Sequence, residues 1–261
     1  MSRVARVTFT SYRESICKAL DRIDAGDRLP QDGIIIIKPN LTNSSPPPIT
    51  TSIEAVQAVY RYCSAHTNAE IMIGEGVGSG RTTDVFDQLG YTELARSNGI
   101  GLIDFNSCKS VLIRRQDTLN LREFHLPEIL EEAFVISVPV LKDHCFTVTT
   151  IAMKNMFGIA PAPFYAGSWN KSKLHSPSTH RSVVDVCLYR KPSLSVVDAS
   201  TALSGGHLWG REKKLRLILA SFDPVAADAA GSELLGHDPR KIEYLRLSNG
   251  KLGSMDSITY C

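Results

Sequence analysis

The sequence predicts an α/β protein in which a mostly parallel sheet is covered by helices. Two uninterrupted apolar runs, Ile34–Lys38 (IIIIK) and Phe134–Val138 (FVISV), lack the alternation of a half-exposed strand and read as strands buried on both faces. Each is halted by a proline, Pro39 or Pro139, which cannot donate to a ladder. Polar residues then cluster where these runs end, and segments of helical periodicity separate them. Together these features predict a Rossmann-like three-layer architecture, with residues 1–261 as one domain or as two packed lobes of about 1–125 and 126–261.

In chain order, Val4–Phe9 alternates as a first strand, and Ile16, Ala19, Leu20 and Ile23 give Tyr12–Ile23 one apolar helical face. After the central run Ile34–Lys38, three consecutive prolines in Leu41–Thr51 predict a stiff, polyproline-like loop. Thr51 or Ser52 then caps a helix over Ile53–His66. Ala69–Ile73 is a strand entering the glycine-rich stretch Gly74–Thr83 (GEGVGSGRTT), where four glycines in seven residues permit close approach of backbone to a ligand. Neither the P-loop order nor the dinucleotide fingerprint is present. Short helices broken at Gly90, a strand over Gly101–Asp104 and a hairpin within Ser110–Leu126 follow.

The stretch Phe134–Gly158 reads as strand, charged elbow and helix, with Thr147 or Thr149 as cap and Gly158 as a left-handed stop. It places His144 in an exposed elbow and Lys154 and Asn155 in a last helical turn. Ile159–Thr179, rich in Pro, Gly, Ser and aromatics, reads as a cap over the ligand edge. Ser193–Val197 is another buried strand, followed by a loop, ASTALSGGHLWG. Leu215–Ser221 is the next strand, Asp223-Pro224 starts a helix to Leu235, Asp238-Pro239 starts another through Ser248, and Ser257–Tyr260 ends the chain as an edge strand.

With 29 basic and 27 acidic residues the chain carries a formal charge of +2 and few aromatics, which argues against nucleic acid as a partner. Met1–Thr10 has no signal-like apolar region and no window approaches eighteen apolar residues, so no membrane association and a cytoplasmic location are expected. Cys17, Cys63, Cys108, Cys145, Cys187 and Cys261 include no C-x-x-C pair, so no intrinsic iron–sulfur cluster is expected.

Ligands of open α/β sheets bind beyond the carboxyl ends of the strands. Lys38, Glu75, Lys142, His144 and Asp198 follow buried strands and are expected to converge there. Lys142, His144, Lys154 and Glu75 are the catalytic candidates, because ionisable groups of opposite sign in one cleft shift each other's pKa values into a useful range. Lys38, Asn40, Asn155 and Asp198 are the ligand-binding candidates. His175 and His180 of HSPSTH, five apart, form a candidate pair for a divalent metal if His180 opens a helix.

IKPN (Ile37–Asn40), Thr50-Thr51, GEG (Gly74–Gly76), PVLKDH (Pro139–His144), TTIAMKNMFG (Thr149–Gly158), VVDAS (Val196–Ser200) and FDPVAADAAGSELLG occur in an order that resembles the domain of unknown function family 362. The resemblance spans about residues 34–245. It implies a link to iron–sulfur and anaerobic redox chemistry, although the cysteine run of longer members is absent here. The reading that follows is an enzyme or a cofactor- or metal-dependent protein acting on a small anionic molecule or cofactor. The alternative is a non-catalytic module serving a metal centre or a ferredoxin-like partner.

Overall fold

The computed structural model describes residues 1–261 and is built on one eleven-stranded sheet. Its strands are β1 (Ser2–Thr8), β2 (Ile34–Pro39), β3 (Glu70–Glu75) and β4 (Gly101–Asp104). A separate antiparallel hairpin, β5 (Ser110–Arg114) and β6 (Glu123–Pro127), is the predicted excursion. The main sheet continues with β7 (Phe134–Val138), β8 (Val140–His144), β9 (Val148–Thr150), β10 (Leu194–Ser204), β11 (Arg211–Lys213), β12 (Leu217–Ser221) and β13 (Ile258–Tyr260). The strand order is β13-β1-β12-β10-β7-β2-β3-β4, with β8 and β11 added on β10 and β9 on β8. From β4 to β10 every pairing on this path is parallel, whereas β12 runs antiparallel to both β10 and β1.

The helices are α1 (Tyr12–Asp21), α2 (Ala25–Arg28), α3 (Ile53–His66), α4 (Thr82–Gln88), α5 (Tyr91–Asn98), α6 (Ala152–Asn155), α7 (Ala162–Tyr165), α8 (Thr179–Tyr189), α9 (Pro224–Leu235) and α10 (Glu243–Ser248). Period-2 geometry sends Ile35 and Ile37 into the core under α1 and α3, and Ile36 into the core under α6, α8 and α10. That division makes three layers of the unalternating run. A third core packs α9 against β10 and β12 through Ala226, Ala227, Val197 and Leu219. Asp223 caps α9 by accepting from Val225 and Ala226 N–H at 2.9 and 3.0 Å, with Pro224 at its first position, and Gly236 ends it at φ 97°. No helix is long and apolar enough to cross a membrane.

Several expectations need correction. Beyond Pro139 the chain forms a second strand, β8, paired to β9, and only then the single-turn helix α6. Lys142 and His144 alternate there with Leu141 and Asp143, so period 2 is present but written in polar residues. Neither Thr147 nor Thr149 caps α6, and Gly158 lies in a 3-10 turn, Met156–Ile159, without a positive φ. The segment ASTALS is not a loop, because β10 continues through it on β8 and β11. The triple proline is not extended: Ile49 N–H donates to the Pro46 carbonyl at 3.1 Å, closing a turn where a polyproline helix would leave both groups to solvent. The last predicted helix is divided into a 3-10 turn, Pro239–Lys241, and α10.

Candidate functional site

Beyond the carboxyl ends of β2, β3 and β7 lies a cavity of about 430 Å3. β2 and β3 contribute Lys38 and Glu75, β8 contributes Lys142 and His144, α6 contributes Lys154 and Asn155, and the cap contributes Trp169, Lys171 and His175. The loop after β10 adds His207 and Trp209.

The floor is a buried ion pair. Lys38 is fully enclosed, and its Nζ donates to Glu75 Oε1 and Oε2 at 2.9 and 3.0 Å, to Asn155 Oδ1 at 3.2 Å and to the Pro39 carbonyl at 3.0 Å. Glu75 also accepts from Leu41 N–H at 2.9 Å and Gly76 N–H at 2.8 Å. Burial pulls the Lys38 pKa down and the Glu75 charge partly restores it. Gly158 makes this geometry feasible, because a Cβ there would lie 2.0 Å from Glu75 Oε1 and 2.5 Å from Lys38 Nζ. Its role is close approach of backbone to the pair.

Lys142 Nζ donates to Asn40 Oδ1 at 2.5 Å and to the Ile49 carbonyl at 2.8 Å, which explains why the proline loop folds back. Lys171 is held by Asn106 Oδ1 and the Ala160 carbonyl. Lys154 differs: only 8 % exposed, its amine has no hydrogen-bond acceptor and no ion-pair partner, and Nζ sits 3.7 Å from the centre of the Phe157 ring. Burial draws Lys142, Lys154 and Lys171 each down to about 7; neighbouring ammonium groups add to the fall at Lys154, whereas Glu75 offsets it at Lys142 and Lys171. The short α6 that presents Lys154 is fixed from behind by Asp228 of α9. That buried carboxylate accepts from Ala152 N–H at 2.8 Å and from Tyr244 O–H at 2.9 Å, and burial raises it to about 7.

His144 is also 8 % exposed, which corrects the exposed elbow expected for it. Its Nδ1 accepts from Phe146 N–H at 3.0 Å, so the neutral ring carries its proton on Nε2. Burial first, then Lys154, His207, His175 and Lys142, hold it well below the usual histidine range. His175 donates Nδ1–H to the Lys171 carbonyl at 3.1 Å and is lowered to about 4, chiefly by burial. Two wall atoms are buried without a hydrogen-bond partner, Thr150 Oγ1 and His207 Nδ1. Such atoms carry a desolvation cost.

A family model described as Domain of unknown function (DUF362) matches residues 35–233. The chain belongs to the DUF362 family. The matched span includes every residue lining the cavity. A relative in Synechocystis sp. (strain ATCC 27184 / PCC 6803 / Kazusa), "Thylakoid-associated protein sll1697", is 25 % identical over 224 residues, covering 84 % of this chain. The chain aligns with 66 % of that relative's length.

Two of the expected site residues stand elsewhere in this DUF362 protein. Asp198 does not reach the cavity; its carboxylate accepts from Tyr12 O–H at 2.8 Å and Ser200 N–H at 2.9 Å, because its position on β10 turns it toward α1. His180 does not meet His175. Ser178 caps α8 and starts it with the His180 ring facing α10, where Nδ1 accepts from Tyr244 N–H at 3.3 Å. The tightest metal-type grouping is instead His144, Cys145 and His207, whose donor atoms lie within 4.8 Å of one another. It does not fit an ion as arranged. The His144 and His207 rings stack at 4.2 Å and 17°, and nearly parallel planes cannot both aim an in-plane lone pair at one ion. Cys145 is the one thiol in the lining, which does not suit an iron–sulfur cluster held by several thiolates.

Lys171, His207, Thr150 and Asp228 were not selected from sequence. The first two lie in aperiodic segments, and the others read as ordinary helix positions, although Thr150 in fact ends β9. The signal available for Lys171 was its place in the cap segment.

Proposed function

We propose that this protein binds a small anionic molecule, a carboxylate, a phosphate or a cofactor bearing one, and acts on it as an enzyme. The observation that carries this reading is the charge count of the cavity. Four lysines and three histidines line it against a single carboxylate, Glu75, already committed to Lys38. Lys142, Lys154 and Lys171, with no carboxylate paired to them, give the cavity a positive potential that an anion would neutralise. Lysines near neutrality beside a neutral imidazole are the groups general acid–base chemistry uses. Six cysteines without a disulfide suit a reducing compartment, and we assign the protein to the cytoplasm.

The test is thermal shift and calorimetry of the full chain against inorganic phosphate and small mono-, di- and tricarboxylates, at matched ionic strength. A ligand at about 100 times its Kd should stabilise by about 2.7 kcal/mol. An absence of any shift beyond that of sodium chloride would sink the reading. A second reading rests on Phe146, Trp169 and Trp209, which are exposed around the same opening. It is a non-catalytic module whose mouth is covered by a partner, such as a ferredoxin-like protein; anion binding without turnover of any bound ligand favours it.

A further inference from the structure

Of the four cavity lysines, three have their amines spoken for. Lys38 is held by Glu75, Asn155 and a carbonyl; Lys142 by Asn40 and a carbonyl; Lys171 by Asn106 and a carbonyl. Lys154 alone presents an enclosed amine with no acceptor, on the cavity wall, with only an aromatic face against it. An ammonium so placed satisfies none of its three donors within the protein. With no protein acceptor holding it, the amine is free to meet a ligand in the cavity, and its unprotonated form is a nucleophile.

We propose that Lys154 forms an imine with the carbonyl carbon of a small anionic oxo compound, such as a 2-oxo acid or a phosphorylated aldehyde. The inference rests on the anion-site reading and adds the reacting group of the ligand. The Nζ lone pair attacks the carbonyl carbon, a C–N bond forms, and the carbonyl π pair moves onto oxygen. Loss of water from the resulting carbinolamine leaves the C=N bond, the departing oxygen carrying both hydrogens of the amine; no oxidant or reductant is consumed. Lys142 retains a donor beyond its two acceptors and Lys171 lies in the same wall, so the anionic head has cationic partners that are not the nucleophile. His144 Nε2–H is available to hold the carbonyl oxygen as it becomes hydroxyl. Burial and neighbouring ammonium groups bring Lys154 down to about 7, so a substantial fraction is unprotonated at neutral pH.

The experiment incubates the full chain separately with glyoxylate, pyruvate and pyridoxal 5′-phosphate, reduces with borohydride, and maps the adduct by peptide mass. The expected result is one stable adduct per chain for at least one probe, on the peptide carrying Lys154 and suppressed by excess inorganic phosphate. Lys154→Met should lose it. Lys154→Arg keeps the charge and should retain the anion-induced thermal shift while losing the adduct, which separates the two readings. Labelling that is spread over surface lysines, unchanged in Lys154→Met, or absent while phosphate still stabilises the native chain overturns the imine and leaves the anion site standing. Absence of both labelling and anion stabilisation overturns the two together.

Discussion

Replacing Glu75 by alanine removes the acceptor of four hydrogen bonds, two from Lys38 Nζ and one each from Leu41 and Gly76 N–H, at a residue 2 % exposed. What remains is an ammonium with two neutral oxygens beside it, those of Asn155 and Pro39, and no counter-charge. Removing one partner of a buried pair costs about 3–5 kcal/mol, most of it the desolvation of the partner left behind. That is a large share of the ~5–15 kcal/mol that holds a typical domain together. In equilibrium urea unfolding, with a slope of about 2–3 kcal/mol/M, the midpoint should fall by roughly 1–2.5 M at unchanged slope. Lys38→Met should cost less, since the carboxylate keeps Leu41 and Gly76 N–H. The double variant should cost less than the two single losses added, by about 0.5–3 kcal/mol of coupling. If Glu75→Ala unfolds within about 0.5 kcal/mol of the native chain, or if the two losses simply add, Glu75 is not the brace described above.

Lys154→Met swaps an unpaired amine for an apolar side chain of similar length, so the melting temperature of the ligand-free protein should hold or rise while the phosphate-induced shift shrinks but persists through Lys142 and Lys171; differential scanning with and without phosphate reads both. Lys154 faces Lys142, Lys38, His144 and Cys145, and its folded pKa of about 7 lies below the ordinary 10.5, so between these values the unfolded chain binds more protons. Its contribution therefore makes stability rise with pH across that window, while anion affinity falls as pH passes upward through about 7; titration calorimetry at several pH values checks the direction, and affinity that climbs with pH would contradict it. Gly158→Ala sets a Cβ 2.0 Å from Glu75 Oε1 and should destabilise by about 1–3 kcal/mol in the same urea assay, whereas no change would mean the 3-10 turn can shift freely. Asp228→Ala strands the Ala152 and Met153 N–H groups and Tyr244 O–H, and should lower both stability and phosphate affinity, with Asp228→Asn milder on each; normal affinity in the alanine variant would detach α6 from the site.

The frame was legible where burial on two faces forces a uniform signal. Ile34–Lys38 and Phe134–Val138 read as strands, Ile53–His66 as a helix, and Asp223-Pro224 as a cap, because each is decided by local chemistry. β8 was not legible because one of its faces looks into a polar cavity, so Lys142 and His144 occupy positions where hydrophobic alternation would show an apolar residue. The same cause hid the burial of His144. Lys38, Glu75, Lys142, Lys154 and Asn155 were recoverable by asking what stands at strand exits and in the turn that follows. Asp198 satisfied that rule yet points elsewhere, since its partner Tyr12 is remote in sequence. Lys171 and His207 arrive from segments with no periodicity, and only tertiary placement brings them to the cavity.

β10 changes neighbours along its length, pairing with β7 at Leu194 and Ser195 and with β8 at Asp198 and Leu203 across a register shift. Lys142 and His144 are thereby mounted on hydrogen-bonded strands that prolong the sheet past its own edge, while the facing side of the cavity, Trp169 to His175, is a segment of short turns. The two sides should differ in the timescale on which their amides open. On the sheet side, backbone amides share the opening free energy of β10 and should exchange with deuterium slowly; across the gap, exchange should be fast and should slow selectively when phosphate binds. Exchange divided in this way would make the rate of ligand entry a property of residues 159–179 rather than of the groups that hold the ligand.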